Sequence, residues 1–457
     1  MSQDLITNKF RYFNLTNLNR DIASTSENDR FYLFIGNPNI SDDSSPITPL
    51  ELVHSDPATH RNMVSMKYID PQTGFSPVVE RRLWVNGVVY DEYNNNGDLS
   101  NANFYMIASS SDSGSSGGRV YICLDNNSGS ESTVVPTHES GSAKGSDNYL
   151  WEWIYTIPTD NKFDEYNGDY MPVINGITPS NSKTIKAIIN DGGSGYANNL
   201  HTCPIVGDGS IDGQAYVTVQ NGTITNVEVV PGSEGVGFTF ANIDLRNAYV
   251  SVDQFEGNAA DIDIVISPRD GFGFDNISLL STKLLMIYAE LIEGEGGNFP
   301  IISSDDVQFS YGQIGVIKNP LQAGSSSLLN TASVKCLTEL TLDTLSSNWD
   351  PKAGDEILGL TSGGTGVVVY WDGTSVLGIH QTNEVDKGLD VNLKLTPFVN
   401  NEQIKILEET GTITGSGVSE PGYEIYSGDI LYVMNTDNIT RADQQKEIIK
   451  LVIDFNC

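Results

Sequence analysis

Short apolar runs broken by polar turns, with few long helical stripes, make up most of this chain. The sharpest run is "NYLWEWIYTIP" (148–158), in which Trp151, Trp153, Tyr155 and Ile157 alternate with Leu150, Glu152, Ile154 and Thr156. A period of two predicts a strand with one strongly aromatic face. That face is either a packed core or an exposed sugar-stacking platform, and the pattern favours core. "RFYLFIGNP" (30–38) predicts a strand stopped by a Gly-Asn-Pro turn, and "MVSMKYID" and "RRLWVNGVVYDEY", within 62–93, predict further strands. "VYICL" reads as a buried strand between two low-complexity surface loops, "SSSDSGSSGGR" (109–119) and "DNNSGSES" (125–132).

Helical spacing is confined to a few places. "ITNKFRYFNLTNLNRDIA" sets Phe10, Phe13 and Leu18 at roughly helical intervals, and "LLSTKLLMIYAELIEGEGGNFP" (279–300) is expected to begin as a helix. A weak repeat links "KAIINDGGSGYAN" (186–198), "NVEVVPGSEGVGFTF" (226–240) and "DIVISPRDGFGFD" (263–275), each an apolar strand followed by a glycine-rich corner. The repeat predicts stacked small β units. Between 333 and 415 the pattern predicts a small antiparallel barrel or sandwich.

The expected fold class is therefore mainly β, a β-rich α+β chain with a sandwich or barrel core, inserted β modules and a few helices near the N-terminus and residue 285. Its 457 residues exceed one ordinary core. The expected organisation is a core in pieces, 1–93, 148–182, 263–327 and 421–457. A loop-rich insertion (94–147), a β-repeat module (183–262) and a barrel or sandwich module (328–420) interrupt it.

Charge changes the picture. With 59 acidic against 25 basic side chains the net charge is −34, and Arg81-Arg82 is the densest cationic pair. Such a field repels nucleic acid and anionic lipid. No apolar run approaches the ~18 residues of a membrane span, and the N-terminus lacks a signal-peptide layout, so a soluble protein made in the cytoplasm is expected. Cys123, Cys203, Cys336 and Cys457 are widely spaced, which suits neither a zinc framework nor a disulfide scaffold.

Candidate chemistry is thin. "DGGSGYA" (191–197) lacks the lysine of a phosphate loop and the helix that would follow it, so it reads as a corner. His54, Asp56 and His60 in "HSDPATH" could ligate a metal, but the H-E-x-x-H helix is absent and Pro57 argues for a loop. His201 and Cys203 form an isolated pair. Gly114-Ser115-Ser116-Gly117-Gly118 matches G-x-S-x-G only formally. Glu92, Asn94, Asn96 and Gly97 resemble half a calcium loop whose terminal carboxylate position holds Asn103. Glu293 and Glu295 are the nearest acid pair for glycoside hydrolysis, with nothing to set them apart. No catalytic, cofactor-binding or metal residue is assigned, and no enzymatic activity is expected.

The C-terminus is more specific. In "GYEIYSGDILYVMNTDNITRADQQKEIIKLVIDF" (422–455), a Ser427-Gly428-Asp429 turn precedes one strand and a polar turn precedes a last strand bearing Leu451, Ile453 and Phe455. Together with "NKFRYFN", "FYLFIGNP", "LWEWIYTIP" and "QIGVIKNPL", in that order, the chain resembles the baseplate wedge subunits of T-even-like contractile-tailed bacteriophages, the gene product 8 family. The likeness covers roughly half the chain. The segments near 94–147, 183–262 and 328–420 match less well and read as embellishments. The resemblance implies a structural virion component of the tail baseplate, made late in the host cytoplasm. It implies a homodimer that contacts other wedge subunits and helps transmit the contraction switch. No nucleic acid, membrane, cofactor or small-molecule substrate is implied. A receptor- or glycan-binding tail protein using the Trp151 strand is the alternative expectation, and a tail-associated polysaccharide hydrolase a more distant one.

Overall fold

A computed structural model describes residues 8–24, 29–38, 56–97, 99, 101–109, 117–161, 168–250, 255–292, 309–343, 351–381, 388–392, 394–407, 411–441 and 446–455. The chain is mainly β, with several sheets, a closed barrel and short or isolated helices. It forms two compact units, one of Met1–Thr16, Ser76–Met286 and Ile453–Cys457, the other of Asn17–Phe75 and Ile287–Val452. The first helix, α1 (Asn8–Ala23), follows the helical spacing of the N-terminal segment.

In the second unit, six consecutive buried residues form β1 (Phe31–Gly36). A strand apolar on both faces belongs inside a sheet. It pairs with β2 (Met63–Tyr68) on one side and β16 (Phe309–Lys318) on the other, both antiparallel. β17 (Ser333–Lys335) and β24 (Asp429–Arg441) complete the order β17-β2-β1-β16-β24. Gly315 of β16 is required there, since a Cβ would lie 2.2 Å from the Phe34 ring and 2.5 Å from the Tyr432 carbonyl. Tyr32, Phe34, Met66, Ile317, Val334 and Tyr423 pack the core beside this sheet.

"DPATHRN" is not the loop that Pro57 suggested. It forms helix α2 (Asp56–Asn62), with Pro57 in the first turn, where no backbone donor is needed.

The stretch expected to hold a barrel or sandwich contains a closed barrel. β18 (Thr338–Leu342), β19 (Glu356–Gly359), β20 (Thr365–Trp371), β21 (Val376–His380), β22 (Glu402–Ile406) and β23 (Thr412–Ser419) run in the order β18-β21-β20-β19-β22-β23, and β23 pairs back with β18. Leu340, Ile357, Val368, Leu377, Ile404 and Ile413 fill its interior.

In the first unit, β4 (Tyr105–Ala108), β5 (Gly117–Asp125), β6 (Ser142–Lys144) and β7 (Leu150–Pro158) form a sheet ordered β4-β5-β7-β6. Both faces are covered. Tyr105, Ile107, Val120, Ile122 and Ile157 face one cluster; Met106, Tyr121, Cys123 and Trp151 face another. The common face expected for Trp151, Trp153, Tyr155 and Ile157 does not exist. Against β5, Val120 pairs with Tyr155 and Tyr121 with Trp153, so Ile154 is an extra residue. This bulge leaves Trp151 and Trp153 on one side and sends Tyr155 and Ile157 to the other.

The segment 81–93 is not a regular strand. Only isolated bridges form, Leu83 with Ile107 and Val88 with Ser132, because the turn at Gly87 (φ +82°) interrupts the run. Before it, β3 (Phe75–Glu80) pairs with β8 (Tyr170–Pro172).

The glycine-rich repeat does not produce equivalent stacked units. β9 (Thr184–Asp191) and β14 (Asp261–Ile266), from its first and third copies, pair with each other. β12 (Thr223–Val229), from the second, edges a separate sheet with β11 (Gly213–Gln220), β10 (Asn199–Gly207) and β13 (Ala241–Ile243). The two sheets enclose one core, including Cys203, Ile205, Val217, Phe238, Ile264 and Ile266. Burial decides the pairing: each copy contributes one apolar face, and two faces close a core.

The helix expected from residue 279 is also corrected. A single turn, α3 (Asn276–Leu279), ends there and β15 (Leu284–Leu291) follows. Leu285, Met286 and Ile287 are all buried, so sheet packing overrides the helical propensity of Leu and Met. The chain's last described strand is β25 (Glu447–Asp454), with Ile449 and Leu451 buried.

Candidate functional site

The corner at "DGGSGYA" is held by backbone crowding. Gly193 and Gly195 have φ of +61° and +88°, and a Cβ on Gly193 would stand 2.4 Å from the Asn258 carbonyl. The amide of Gly193 donates to the Asp191 carboxylate at 2.9 Å, and Ser194 N to Asn258 O at 2.9 Å. These donors turn the chain, and a carboxylate already occupies the position a phosphate would need.

His54 lies outside the described residues, as do Glu293 and Glu295. Asp56 opens α2. His60 is buried, its ring 6.4 Å from Tyr423 and 6.1 Å from Tyr426, and its carbonyl accepts the Tyr423 hydroxyl at 2.7 Å. It is a packing residue. His201 Nε2 sits 2.7 Å from the Ala197 carbonyl, while Cys203 is buried with its thiol pushed up to about 11 by desolvation. Burial likewise raises the thiols of Cys123 and Cys336. All three are free cysteines. Cys457 lies outside the described residues.

The calcium-like segment is committed to structure. Glu92 accepts the Asn126 amide at 2.9 Å and pairs with Lys186. Asn94 accepts the Asn96 amide at 2.9 Å, and Asn96 Nδ2 donates to the Ile264 carbonyl at 3.2 Å. Asn103 N donates to the Asp91 carboxylate at 2.6 Å. Of the G-x-S-x-G match, Gly117 and Gly118 open β5, so a strand follows where an elbow needs a helix. Among the described residues no group of three or more His, Cys, Asp and Glu could hold a metal ion. No helix among them is long and apolar enough to cross a membrane.

A cleft of about 700 Å³ lies in the first unit and is lined by Tyr93, Asn95, Asn96, Arg269, Asp270 and Asp275, among others. Asp275 is structural. It accepts the Tyr12 hydroxyl at 2.9 Å and caps α3 through Ser278 N at 3.1 Å. Burial and then the adjoining Asp275 carboxylate raise the Tyr12 phenol to about 12. These contacts anchor the start of α1.

Comparison with known proteins finds no matching family model and no significantly similar curated protein. Function must therefore be argued from the residues.

Two buried polar residues escaped the sequence reading. Glu402, 2% exposed, accepts the amides of Thr361, Ser362 and Val399 at 3.1, 2.9 and 2.7 Å, and both of its oxygens take the Ser362 hydroxyl. It ties two barrel loops together. The alternation Glu402-Ile404-Ile406 was the available signal, since it turns this carboxylate toward the barrel core. His380, at the end of β21, lies against the Arg61 carbonyl with Nε2 at 3.0 Å, and burial lowers its pKa to about 4. In both cases the polar groups hold loops and element ends together.

Proposed function

We propose that the protein is a structural subunit of the tail baseplate wedge of a T-even-like contractile-tailed phage. It acts by contact and not by catalysis, as a homodimer that joins other wedge subunits in the virion. One observation carries the reading. Three of the segments that bear the family resemblance and lie far apart in the chain, "FYLFIGNP", "QIGVIKNPL" and "ILYVMN", belong to the adjacent strands β1, β16 and β24 of one sheet, while "LWEWIYTIP" is β7 of another. These three pair antiparallel, Phe31 opposite Lys318 and Lys318 opposite Asp429, with two register shifts between β16 and β24. The intervening 183–262 and 328–420 stretches, which resemble the family less, build most of two separate cores. A shared frame with embellishments threaded onto it has this form.

The glycan-platform alternative loses its support, because Trp151 is 1% exposed and stacks on Tyr149 with centroids 5.5 Å apart. The test is light scattering of the isolated chain, followed by mixing with purified candidate wedge subunits. A dimer that forms a larger complex is expected; a persistent monomer that binds none overturns the proposal.

A further inference from the structure

The run "LWVNGVVY" (83–90) holds no charged side chain, in a chain with 59 acids and 25 bases. Its pattern predicts a strand, yet in the fold it is an unfinished one. Leu83 bridges Ile107 of β4: Arg82 O accepts from Ile107 N at 2.8 Å and Trp84 N donates to Ile107 O at 3.0 Å. Both bonds face β4. In an extended chain the residue between them turns its own N–H and C=O the opposite way. Those two groups of Leu83 make no hydrogen bond among the described residues.

The ribbon is nevertheless held firmly. The Trp84 indole donates to Ser132 Oγ at 3.2 Å, and the buried Tyr90 hydroxyl accepts the Val85 amide at 2.9 Å. Gly87 N donates to Ser132 O and Ser132 N to Val88 O, at 2.8 and 2.9 Å. Leu83, Val85 and Val89 are left 50%, 52% and 46% exposed. Proteins usually protect such an edge with lysine, proline or a very short strand. The opposite edge of the same sheet, β6, has only three residues and ends on Lys144. Between Leu83 and Tyr90 there is neither lysine nor proline, although the pairing there is limited to single bridges.

We propose that this ribbon is a pairing edge, to which an extended, aliphatic segment of another and less acidic wedge subunit adds as a strand beside Leu83. The inference rests on the proposed function for the identity of that partner. The outward backbone groups specify an extended occupant, and Leu83 and Val85, two residues apart, specify aliphatic side chains at alternate positions. Charge disfavours a second copy at this edge in particular, so the proposed homodimer would use another surface of the chain. Each copy carries −34, and the ribbon supplies no opposite charge to offset it. A neutral or basic partner meets no such barrier, and a charge-free apolar strip resembles the centre of a protein interface.

The test uses the full chain and purified candidate wedge subunits, with light scattering for binding and hydrogen exchange at the Leu83 amide. Exchange there should slow at least tenfold in the complex. The V85K/V89K variant should bind at least tenfold more weakly, with its melting temperature and dimerisation unchanged. Wild-type binding with equal binding by the variant overturns the inference alone, as does Leu83 exchange that is equally fast in the complex. Loss of the homodimer in the variant assigns the ribbon to a second copy and also overturns it. A wild-type chain that binds no wedge subunit overturns both the inference and the function it rests on.

Discussion

Strand β18 of the barrel has a full neighbour on each side, β21 and β23, whereas β4 of the four-stranded sheet has β5 on one side and a single bridge to Leu83 on the other. Closure leaves the barrel without an open edge strand, because each of its strands pairs on both sides. The sheet is covered on both faces, with one cluster around Ile107 and Ile122 and another around Tyr121 and Trp151. It differs from the barrel at its margin. A module can therefore be rigid in its core and still keep hydrogen-bonding capacity for another chain.

The largest effect should come from the sheet's aromatic face. Trp151 is 1% exposed and packs edge-on to Tyr90 with centroids 5.1 Å apart. Trp151→Ala should cost about 4 kcal/mol, from lost transfer energy and the cavity left behind. Urea denaturation followed by circular dichroism measures it. A cost below about 1 kcal/mol would mean that this face is not core. The comparison of two packed modules would then fail, and the sugar platform would return.

Glu402 supplies the corresponding test of the barrel. Glu402→Ala leaves the Thr361, Ser362 and Val399 amides without their acceptor. The expected cost is about 3 kcal/mol. Glu402→Gln should recover part of it, because the amide oxygen still accepts. Equal stability of all three proteins would show that the loops hold without the carboxylate.

Acid should pull the two regions in opposite directions. Burial raises Glu152 of β7 to about 7, with the Ser142 hydrogen bond opposing the shift. The folded chain holds that proton after the unfolded chain has released it. This contribution to stability is therefore complete below pH ~4.5 and lost as pH rises through about 7. His380 of the barrel is held neutral, its pKa lowered to about 4 chiefly by burial. Its contribution is present above pH ~6.5 and lost as pH falls through about 4. Between pH 7 and 5, Glu152→Gln should remove an acid gain and His380→Gln an acid loss. Thermal melts of both variants across that range measure the slopes, and slopes equal to the wild type's would refute the assignments.

The sequence made the strands legible and their partners much less so. The runs at β1, β5, β7 and β16 announce themselves through apolar density, and the corner at Gly193 through glycine spacing. The bulge at Ile154 was hidden, because perfect alternation in "WEWIYTI" gives no hint of an extra residue that only the register with β5 creates. β15 was hidden because Leu and Met suit a helix, and only burial on both faces selects the strand. The stacking of His60 beside Tyr423 and the hydrogen bonds of the Glu92 segment were not legible, because their partners lie far away in the sequence. The ribbon at Leu83 was legible as strand-like but not as unpartnered, since an absent neighbour is a property of the fold and not of the local pattern.

The smallest effect is also the one that separates the two regions most sharply. Val85 and Val89 are about half exposed, so lysine at both positions should change stability by no more than about 0.5 kcal/mol. A lysine at Ile404, fully buried in the barrel, should unfold that module, because the ammonium would have neither water nor a partner. Thermal melts of V85K/V89K and of Ile404→Lys, side by side, give the contrast directly. If V85K/V89K melts as early as the barrel variant, the ribbon is part of a core, and the aliphatic surface at Leu83 is closed within the chain itself. If it melts with the wild type, those two side chains contribute little to folding. They are then free to meet another chain without cost to the fold.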